Sequence, residues 1–207
     1  MSENDSSVPQ SRGPAEHSVR DQIVVAAEAH FRHYGYEKTT VSDLAKAIGF
    51  SKAYIYKFFD SKQAIGEAIC VKTLDTLMIM VDAAVADAPT ASAKLRQLFR
   101  TLVDMGVGLF FKERKLYDIA AHSAGEGWPS ARAYCERVRW MLEGIIREGR
   151  ETGEFECQTP LDETVRAVEL VMLPYVNPLL LQFNLDLVDE APTQLSDLIL
   201  RSLAPDA

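Results

Sequence analysis

The side chains best suited to do chemistry lie in one short polar stretch, KAYIYK, at residues 52–57. Lys52 and Lys57 carry positive charges, and Tyr54 and Tyr56 carry phenolic hydroxyls. Such groups donate hydrogen bonds to phosphate oxygens, and lysine also donates to guanine O6 and N7. The methyl of Ala53 or a tyrosine ring can contact a thymine methyl. We therefore expect this stretch to recognise duplex DNA without covalent chemistry.

Two short helices separated by a glycine would position this stretch. Thr40 begins the first helix, and Asp43 stands three residues later in a capping-box position. Gly49 permits the turn, and Ser51 caps the second helix. This layout predicts a helix-turn-helix whose second helix enters the major groove. Thr40 and Ser51 would also hold phosphates, because hydroxyls and free backbone N–H groups at helix N-termini bind anions.

Apolar residues recur at helical spacing along the rest of the chain, and no strand-like alternation occurs. A first helix is expected from His17 or Ser18 to Gly35, and a fourth from Asp60 or Ser61, with Asp60 and Gln63 as a capping pair, to about Ala86. Thr159 would cap a later helix, which Pro174 and Pro178 would kink. Further helices are predicted at about 91–111, 113–123, 129–151, 160–183 and 192–204. The fold class predicted is all-α.

The charge is divided unevenly along the chain. Of the 207 residues, those after residue 65 carry the whole net charge of −8, whereas residues 41–62 hold four lysines against two aspartates. A basic face on an acidic body suits binding to DNA through one end of the molecule. Residues 1–16 are polar and poor in apolar side chains, so we expect a disordered tail there.

Several classes of protein are disfavoured. No apolar run is long enough for a membrane span, and the N-terminus has no signal region, so we expect neither a membrane nor export. Cys70, Cys135 and Cys157 are widely spaced and odd in number, which fits the reducing cytoplasm better than a disulfide framework or a zinc cluster. His30 and His33 have no cysteine nearby in sequence and are better interpreted as residues of a helix face, so no metal is expected, and nothing indicates a cofactor.

Residues from about 19 to 65 resemble the DNA-binding domain of the TetR/AcrR family of transcriptional regulators. The run IVVAAEAHFRHYGYEKTTVSDLAKAIGFSKAYIYKFFDSKQAI aligns without a gap to that family's pattern. The resemblance implies an all-helical protein of about nine helices in two domains. These would be a three-helix helix-turn-helix domain at 17–62 and a ligand-binding and dimerisation domain at 63–207. It also implies that Tyr56 and Lys62 contact the DNA backbone. The family often has Gly or Pro at position 53 and His or Tyr at position 58.

Two further sites are predicted in the larger domain. The resemblance implies a homodimer formed by the last two long helices, and continuous apolar residues within 160–204 support that surface. It also implies a ligand pocket among the middle helices, where aromatic and methionine side chains favour an apolar or aromatic effector over a sugar or nucleotide. The residues predicted to contact the effector are Phe99, Met105, Phe110, Tyr117, His122, Trp128, Met172 and Tyr175.

The function predicted is a ligand-responsive transcriptional regulator, a repressor that a small effector releases from a near-palindromic operator. An activator, or a regulator controlled by a partner protein, remains an alternative on the same fold. A small-molecule-binding or catalytic helical protein is a remote alternative. The chain has no Gly-x-Ser-x-Gly, Cys-x-x-Cys, His-Glu-x-x-His or phosphate-loop motif, so we do not expect an enzyme.

Overall fold

The computed structural model describes residues 14–205 and the side chains of 17–205. Within that range the chain forms ten α-helices, one short 3-10 helix and no strand, which confirms the predicted all-α fold class. The helices are α1 Pro14–Tyr34, α2 Val41–Ile48, α3 Lys52–Ile55, α4 Lys62–Ala86, α5 Ala91–Lys112, α6 Arg114–Gly125, α7 Pro129–Glu151, α8 Leu161–Val176, α9 Pro178–Leu181 and α10 Ala191–Ser202, with the 3-10 helix at Leu185–Leu187.

The first helix starts earlier than its periodicity indicates. It begins at Pro14, where proline is tolerated because the first helical N–H has no partner within the helix, rather than at His17 or Ser18. The predicted disordered tail at 1–16 falls mostly on residues 1–13, which lie outside the described residues.

Two predicted caps are wrong. Ser61, not Asp60, caps α4, because its hydroxyl accepts the backbone N–H of Ala64 at 3.0 Å. Pro160, not Thr159, precedes α8, and its own side chain makes no capping hydrogen bond. In both cases the residue predicted as the cap lies one position before the actual cap.

The single kinked helix predicted at 160–183 is in fact two helices. Pro174 stays inside α8, but Asn177 adopts an extended backbone with φ −86° and ψ 121°. The residue before a proline avoids the helical region, so Pro178 ends α8 and begins α9. The Asn177 side chain caps α9 by accepting the N–H of Leu179 at 2.8 Å.

The buried apolar residues form two clusters, which α4 joins. One cluster holds the inner faces of α1 to α3 together with Leu116 and Ile119 of α6 and Trp128. The other cluster lies among the later helices, from α5 to α10. α4 contributes Ile65 and Ile69 to the first cluster and Met78 and Val81 to the second, so it connects the two cores mechanically. None of the described helices combines the length and hydropathy needed to cross a bilayer.

Candidate functional site

The N-terminus of α2 is held by a complete capping box. The Thr40 hydroxyl oxygen accepts the backbone N–H of Asp43 at 3.2 Å, and the Thr40 backbone N–H donates to Asp43 Oδ2 at 2.9 Å. The Thr40 hydroxyl also donates to the same carboxylate oxygen at 2.7 Å. These hydrogen bonds from Thr40 hold the pKa of the Asp43 carboxyl below its usual value. Thr40 is exposed, so its position is compatible with a phosphate contact as well as with capping.

The stretch 51–57 presents most of its polar groups to solvent. Ser51 caps α3 by accepting the N–H of Tyr54 at 3.1 Å. Lys52, Ala53 and Lys57 are exposed, whereas Ile55 is fully buried under them. One apolar side chain therefore anchors a helical turn whose outer face carries the positive charge.

The two tyrosines of this stretch are in different environments. Tyr54 is half-buried, and its ring packs edge-on against Phe50 and Phe58 with centroid distances of 5.0 and 5.3 Å. Tyr56 is 42% exposed, and the Lys52 ammonium lies 5.8 Å from its ring centroid. The hydroxyl of Tyr56 is thus the more accessible, while Tyr54 also holds the turn together.

Lys62 makes a structural contact that the sequence does not predict. Its ammonium donates to the backbone carbonyl of Tyr36 at 3.0 Å and lies 4.2 Å from the centroid of the same ring. It therefore ties the start of α4 to the link between α1 and α2. An ammonium has three donors, so Lys62 can still donate to a phosphate while it bonds to Tyr36. The phosphate contact itself remains a prediction.

An apolar cavity lies between α4, α5, α6, α7, α8 and α9. It encloses about 1030 Å³ free of protein atoms, its open mouth included. Among the residues that line it, none carries a formal charge at neutral pH. The lining consists of Ile69, Cys70, Thr73, Leu74, Leu77, Met78, Leu102, Met105, Gly106, Leu109, Leu116, Tyr117, Ile119, Ala120, Ser123, Ala124, Ala131, Tyr134, Cys135, Leu173, Val176, Asn177, Pro178 and Leu181.

Two of the eight predicted effector contacts, Met105 and Tyr117, line this cavity. The other six positions lie outside its lining. Burial raises the pKa of Tyr117 to about 12, and its hydroxyl donates to the backbone carbonyl of Pro178, which fastens α9 over α6. The residues found elsewhere are Phe99, Phe110, His122, Trp128, Met172 and Tyr175.

Three of these six residues belong to the core of the larger domain, and a fourth lies near its surface. Phe99, Met172 and Tyr175 are buried, and the rings of Phe99 and Tyr175 lie 6.3 Å apart. Phe110 packs edge-on against Tyr117, with the Arg114 guanidinium 4.3 Å from the Phe110 centroid. Phe110 thus supports the cavity wall from outside.

Trp128 and His122 lie at the junction between the two cores. The Trp128 ring contacts Tyr36 and His122 with centroid distances of 5.6 and 5.3 Å. A β-carbon added at Gly66 of α4 would meet the Trp128 ring at 3.0 Å. His122 Nδ1 lies 3.1 Å from a carboxylate oxygen of Glu37, in the link after α1. These residues pack α6 and α7 against the first three helices.

Most of the cavity lining was not predicted, and much of it is small. Cys70, Thr73, Ser123, Ala120 and Ala131 face the cavity from α4, α6 and α7. Aromatic and methionine content was the signal used for the prediction, and it does not detect such residues. Helical spacing places Thr73 one turn from Cys70, but nothing in the sequence indicates that this face meets a void rather than another helix.

Comparison with known proteins identifies the family. Residues 23–69, which cover most of α1 and run into α4, match the family model for bacterial regulatory proteins of the tetR family. Residues 91–195, just over half of the chain, match the tetracyclin repressor-like C-terminal domain. The chain belongs to the TetR family. The resemblance found in residues 19–65 is confirmed, and it extends to the larger domain.

Two curated relatives show how much of this TetR-family protein is similar in sequence to known proteins. The negative transcriptional regulator IcaR of the biofilm operon in Staphylococcus aureus is 35% identical over 65 residues, which are 30% of this chain and 35% of IcaR. The nucleoid occlusion factor SlmA of Haemophilus influenzae is 29% identical over 170 residues, 74% of this chain and 71% of SlmA. The matched part thus spans about a third of IcaR.

A solved structure agrees with the fold over nearly the whole chain. The TetR-family repressor FadR of Thermus thermophilus, in complex with lauroyl-CoA, is 24% identical and superposes with a TM-score of 0.65. The superposition covers 91% of this chain and 97% of that one. At this identity the similarity establishes the fold of the TetR-family protein and nothing more specific.

Proposed function

We propose that this protein is a ligand-responsive transcriptional repressor that acts in the cytoplasm and binds a near-palindromic DNA operator as a homodimer. The observation that carries the proposal is the exposed, positively charged stretch at 51–57, held on the buried anchor Ile55 in a chain that belongs to the TetR family. IcaR, which is 35% identical to this chain over 65 residues, is a negative transcriptional regulator.

The DNA contacts divide by chemistry. Lys52, Ala53 and Lys57 are the candidates for reading base edges, because they are exposed around α3. Thr40 and Ser51, at exposed helix starts, and Tyr56, exposed at the end of α3, are the candidates for phosphates, since such hydroxyls position a protein on the DNA backbone. The half-buried Tyr54 would contribute a ring edge and the packing of the turn.

A DNA titration tests this assignment. Lys52→Ala should weaken binding to DNA from the protein's own promoter region at least tenfold, because it removes a positive charge and a hydrogen-bond donor from the exposed face of α3. The matched control is Lys46→Ala, an exposed lysine on α2, which should change the affinity less than threefold. Fluorescence anisotropy at several salt concentrations measures both. Equal losses for the two variants, or wild-type binding that ignores sequence and salt, would refute the proposal.

The dimer is proposed through residues 160–204. α8 exposes Leu170 at 63% and α10 exposes Leu198 at 53%, and the two helices are in contact. Apolar side chains exposed on adjacent helices mark an interaction surface. A two-fold dimer would present two copies of α3 about one turn of DNA apart, roughly 34–36 Å, which matches a near-palindromic operator.

The effector is proposed to be a small apolar or aromatic molecule that binds in the cavity. Its lining is almost wholly apolar, and α4 forms part of the wall and continues to the first three helices. The Thermus FadR structure contains lauroyl-CoA, whose acyl chain is apolar. Binding that favours one position of α4 would change the spacing of the two DNA-binding ends, and 1–3 kcal/mol of coupling is typical of such switches.

A further inference from the structure

The inner end of the apolar cavity carries its hydrogen-bonding groups. Ser123 of α6 is 2% exposed and Cys70 of α4 is 5% exposed, and both line the cavity. The exposed members of the lining are Cys135 and Leu173, which mark the mouth. A ligand that fills the cavity therefore brings one end against Ser123 and Cys70, out of reach of bulk water.

Other polar groups of the lining are already engaged with the protein backbone. The Tyr117 hydroxyl donates to the carbonyl of Pro178, and the Tyr134 hydroxyl lies 3.5 Å from the carbonyl oxygen of Val176. The side-chain oxygen of Asn177 accepts the N–H of Leu179 as the cap of α9. These groups fix α8 and α9 in place. Ser123, Cys70 and the half-buried Thr73 are the hydrogen-bonding side chains of the lining on α4 and α6, and the Cys70 thiol is itself within hydrogen-bonding reach of Ser123.

Ser123 has hydrogen-bonding capacity to spare. Its hydroxyl oxygen lies 3.0 Å from that of Ser130, and a hydroxyl has one donor and two acceptor sites. With Ser130 and the Cys70 thiol as partners, Ser123 keeps one of its three hydrogen-bonding sites for an oxygen of the ligand. Burial raises the pKa of the Cys70 thiol to about 12, so this neighbour is uncharged at neutral pH.

Charge at this end works against an anionic ligand. No lining residue supplies an opposite charge, and an unpaired ion buried away from water loses far more solvation than an alcohol does. The Glu67 carboxylate is close enough to affect Cys70 but is not part of the lining. Glu67 Oε2 accepts the N–H of Ser130 at 3.0 Å, and Glu67 Oε1 is buried without a partner. That negative charge further disfavours an anionic group here.

We infer that the effector has an apolar body and one uncharged hydroxyl group, and that this hydroxyl binds Ser123 at the inner end of the cavity. The inference rests on the proposed ligand response and names the chemical class of the ligand. We expect ionic amphiphiles to keep their charged group at the mouth, because water solvates it there.

A panel of eight-carbon probes tests the inference on the full-length protein by isothermal titration calorimetry. The probes are 1-octanol, 1-chlorooctane, octanoate and octylammonium. Ser123→Ala should weaken 1-octanol binding about fivefold, since a net hydrogen bond is worth about 1 kcal/mol. The same variant should leave the other three probes within about twofold, because their polar or charged ends do not depend on Ser123.

The matched control is Ser196→Ala. Ser196 is 1% exposed, lies outside the lining, and its hydroxyl has no partner, so its loss should change no probe by more than about twofold. Thermal unfolding checks that each variant is folded. If Ser123→Ala does not fold, Ser123→Cys keeps the size and supplies a weaker donor, and it should weaken 1-octanol binding about twofold or more.

Three results would overturn the inference. They are failure of wild-type protein to bind any probe, unchanged 1-octanol binding in the Ser123 variant, and an equal loss for octanoate or octylammonium. Operator binding is measured separately in the presence of 1-octanol. Serine-dependent binding of 1-octanol that leaves DNA affinity unchanged would refute the proposed ligand response but support the ligand class.

Discussion

At the scale of single residues, hydroxyl side chains cap the helices of the reading end, the name we give to residues 36–62, which hold α2, α3 and the start of α4. Thr40, Ser51 and Ser61 each accept the backbone N–H of the residue three positions later. The sequence predicts the first two because each is followed by an apolar run at helical spacing. It misplaces the third because Asp60 and Ser61 are both good caps, and only the extended backbone at Ser61 decides between them.

Removal of the α2 cap should cost stability. Thr40→Ala removes the hydroxyl that accepts the Asp43 N–H and donates to the Asp43 carboxylate, so the free energy of unfolding should fall by about 1 kcal/mol. Urea unfolding measures this change. Ser42→Ala, at an exposed position in the first turn of the same helix, is the control and should stay within about 0.5 kcal/mol. Comparable losses would mean that the capping box does not stabilise α2.

At the scale of elements, the break between α8 and α9 shows a limit of predicting helices from the periodicity of apolar residues. Apolar spacing alone continues from α8 through α9, so the sequence predicts one helix. Asn177 ends α8 because the residue before Pro178 avoids helical dihedrals and its side chain can cap the next turn. The Asn-Pro pair indicates where the helix ends, but a prediction from apolar spacing alone does not use it.

Two glycines of α7 should respond in opposite directions to the same substitution. A β-carbon at Gly149 would lie 2.1 Å from the buried Phe155 ring, whereas one at Gly144 meets nothing within 4 Å. Gly149→Ala should therefore lower the free energy of unfolding by about 2 kcal/mol or more through overpacking. Gly144→Ala should raise it by about 0.5–1 kcal/mol through helix propensity.

Urea unfolding of the two glycine variants in parallel tests the contact of α7 with the following loop. Shifts of the same sign would show that Phe155 does not pack closely against Gly149. Because both variants carry the same residue in the same helix, the difference between them reports packing alone.

At the scale of the whole molecule, α4 joins a reading end to a cavity-bearing body. Its first turn is held to the reading end by a hydrogen bond from the Lys62 ammonium to the backbone carbonyl of Tyr36. The helix is held on the other side by the Glu67 carboxylate, which accepts the backbone N–H of Ser130 at the start of α7. α4 is therefore tied both to the link between α1 and α2 and to α7, which contributes to the cavity wall.

Disruption of the proposed dimer surface should separate the subunits. Leu198→Glu places a charge on the exposed face of α10, so analytical ultracentrifugation should give the monomer mass, and operator affinity should fall at least tenfold. The control is Ile79→Glu on α4, an apolar residue that is 69% exposed and lies outside 160–204. A dimer that persists in the first variant, or dissociates in the second, would place the interface elsewhere.

The sequence by itself determined the all-α class, the family and the reading end. The reading end is local: its caps, its glycine turn and the anchor Ile55 lie within about twenty-five consecutive residues, so hydrogen bonds between near neighbours define it. Even there, the bond from Lys62 to Tyr36 escaped prediction because its partners are 26 residues apart.

Only the tertiary structure decided the cavity. Its walls come from six helices, and a void depends on which faces fail to meet, a property that no single helix records. Large aromatic residues such as Phe99 and Trp128 are buried in the packed cores instead, because burial of their large apolar surface is favourable wherever helices pack tightly. The cavity lies beside small side chains such as Ser123 and Ala131. Small residues have the same spacing in the sequence whether they face a neighbouring helix or a cavity.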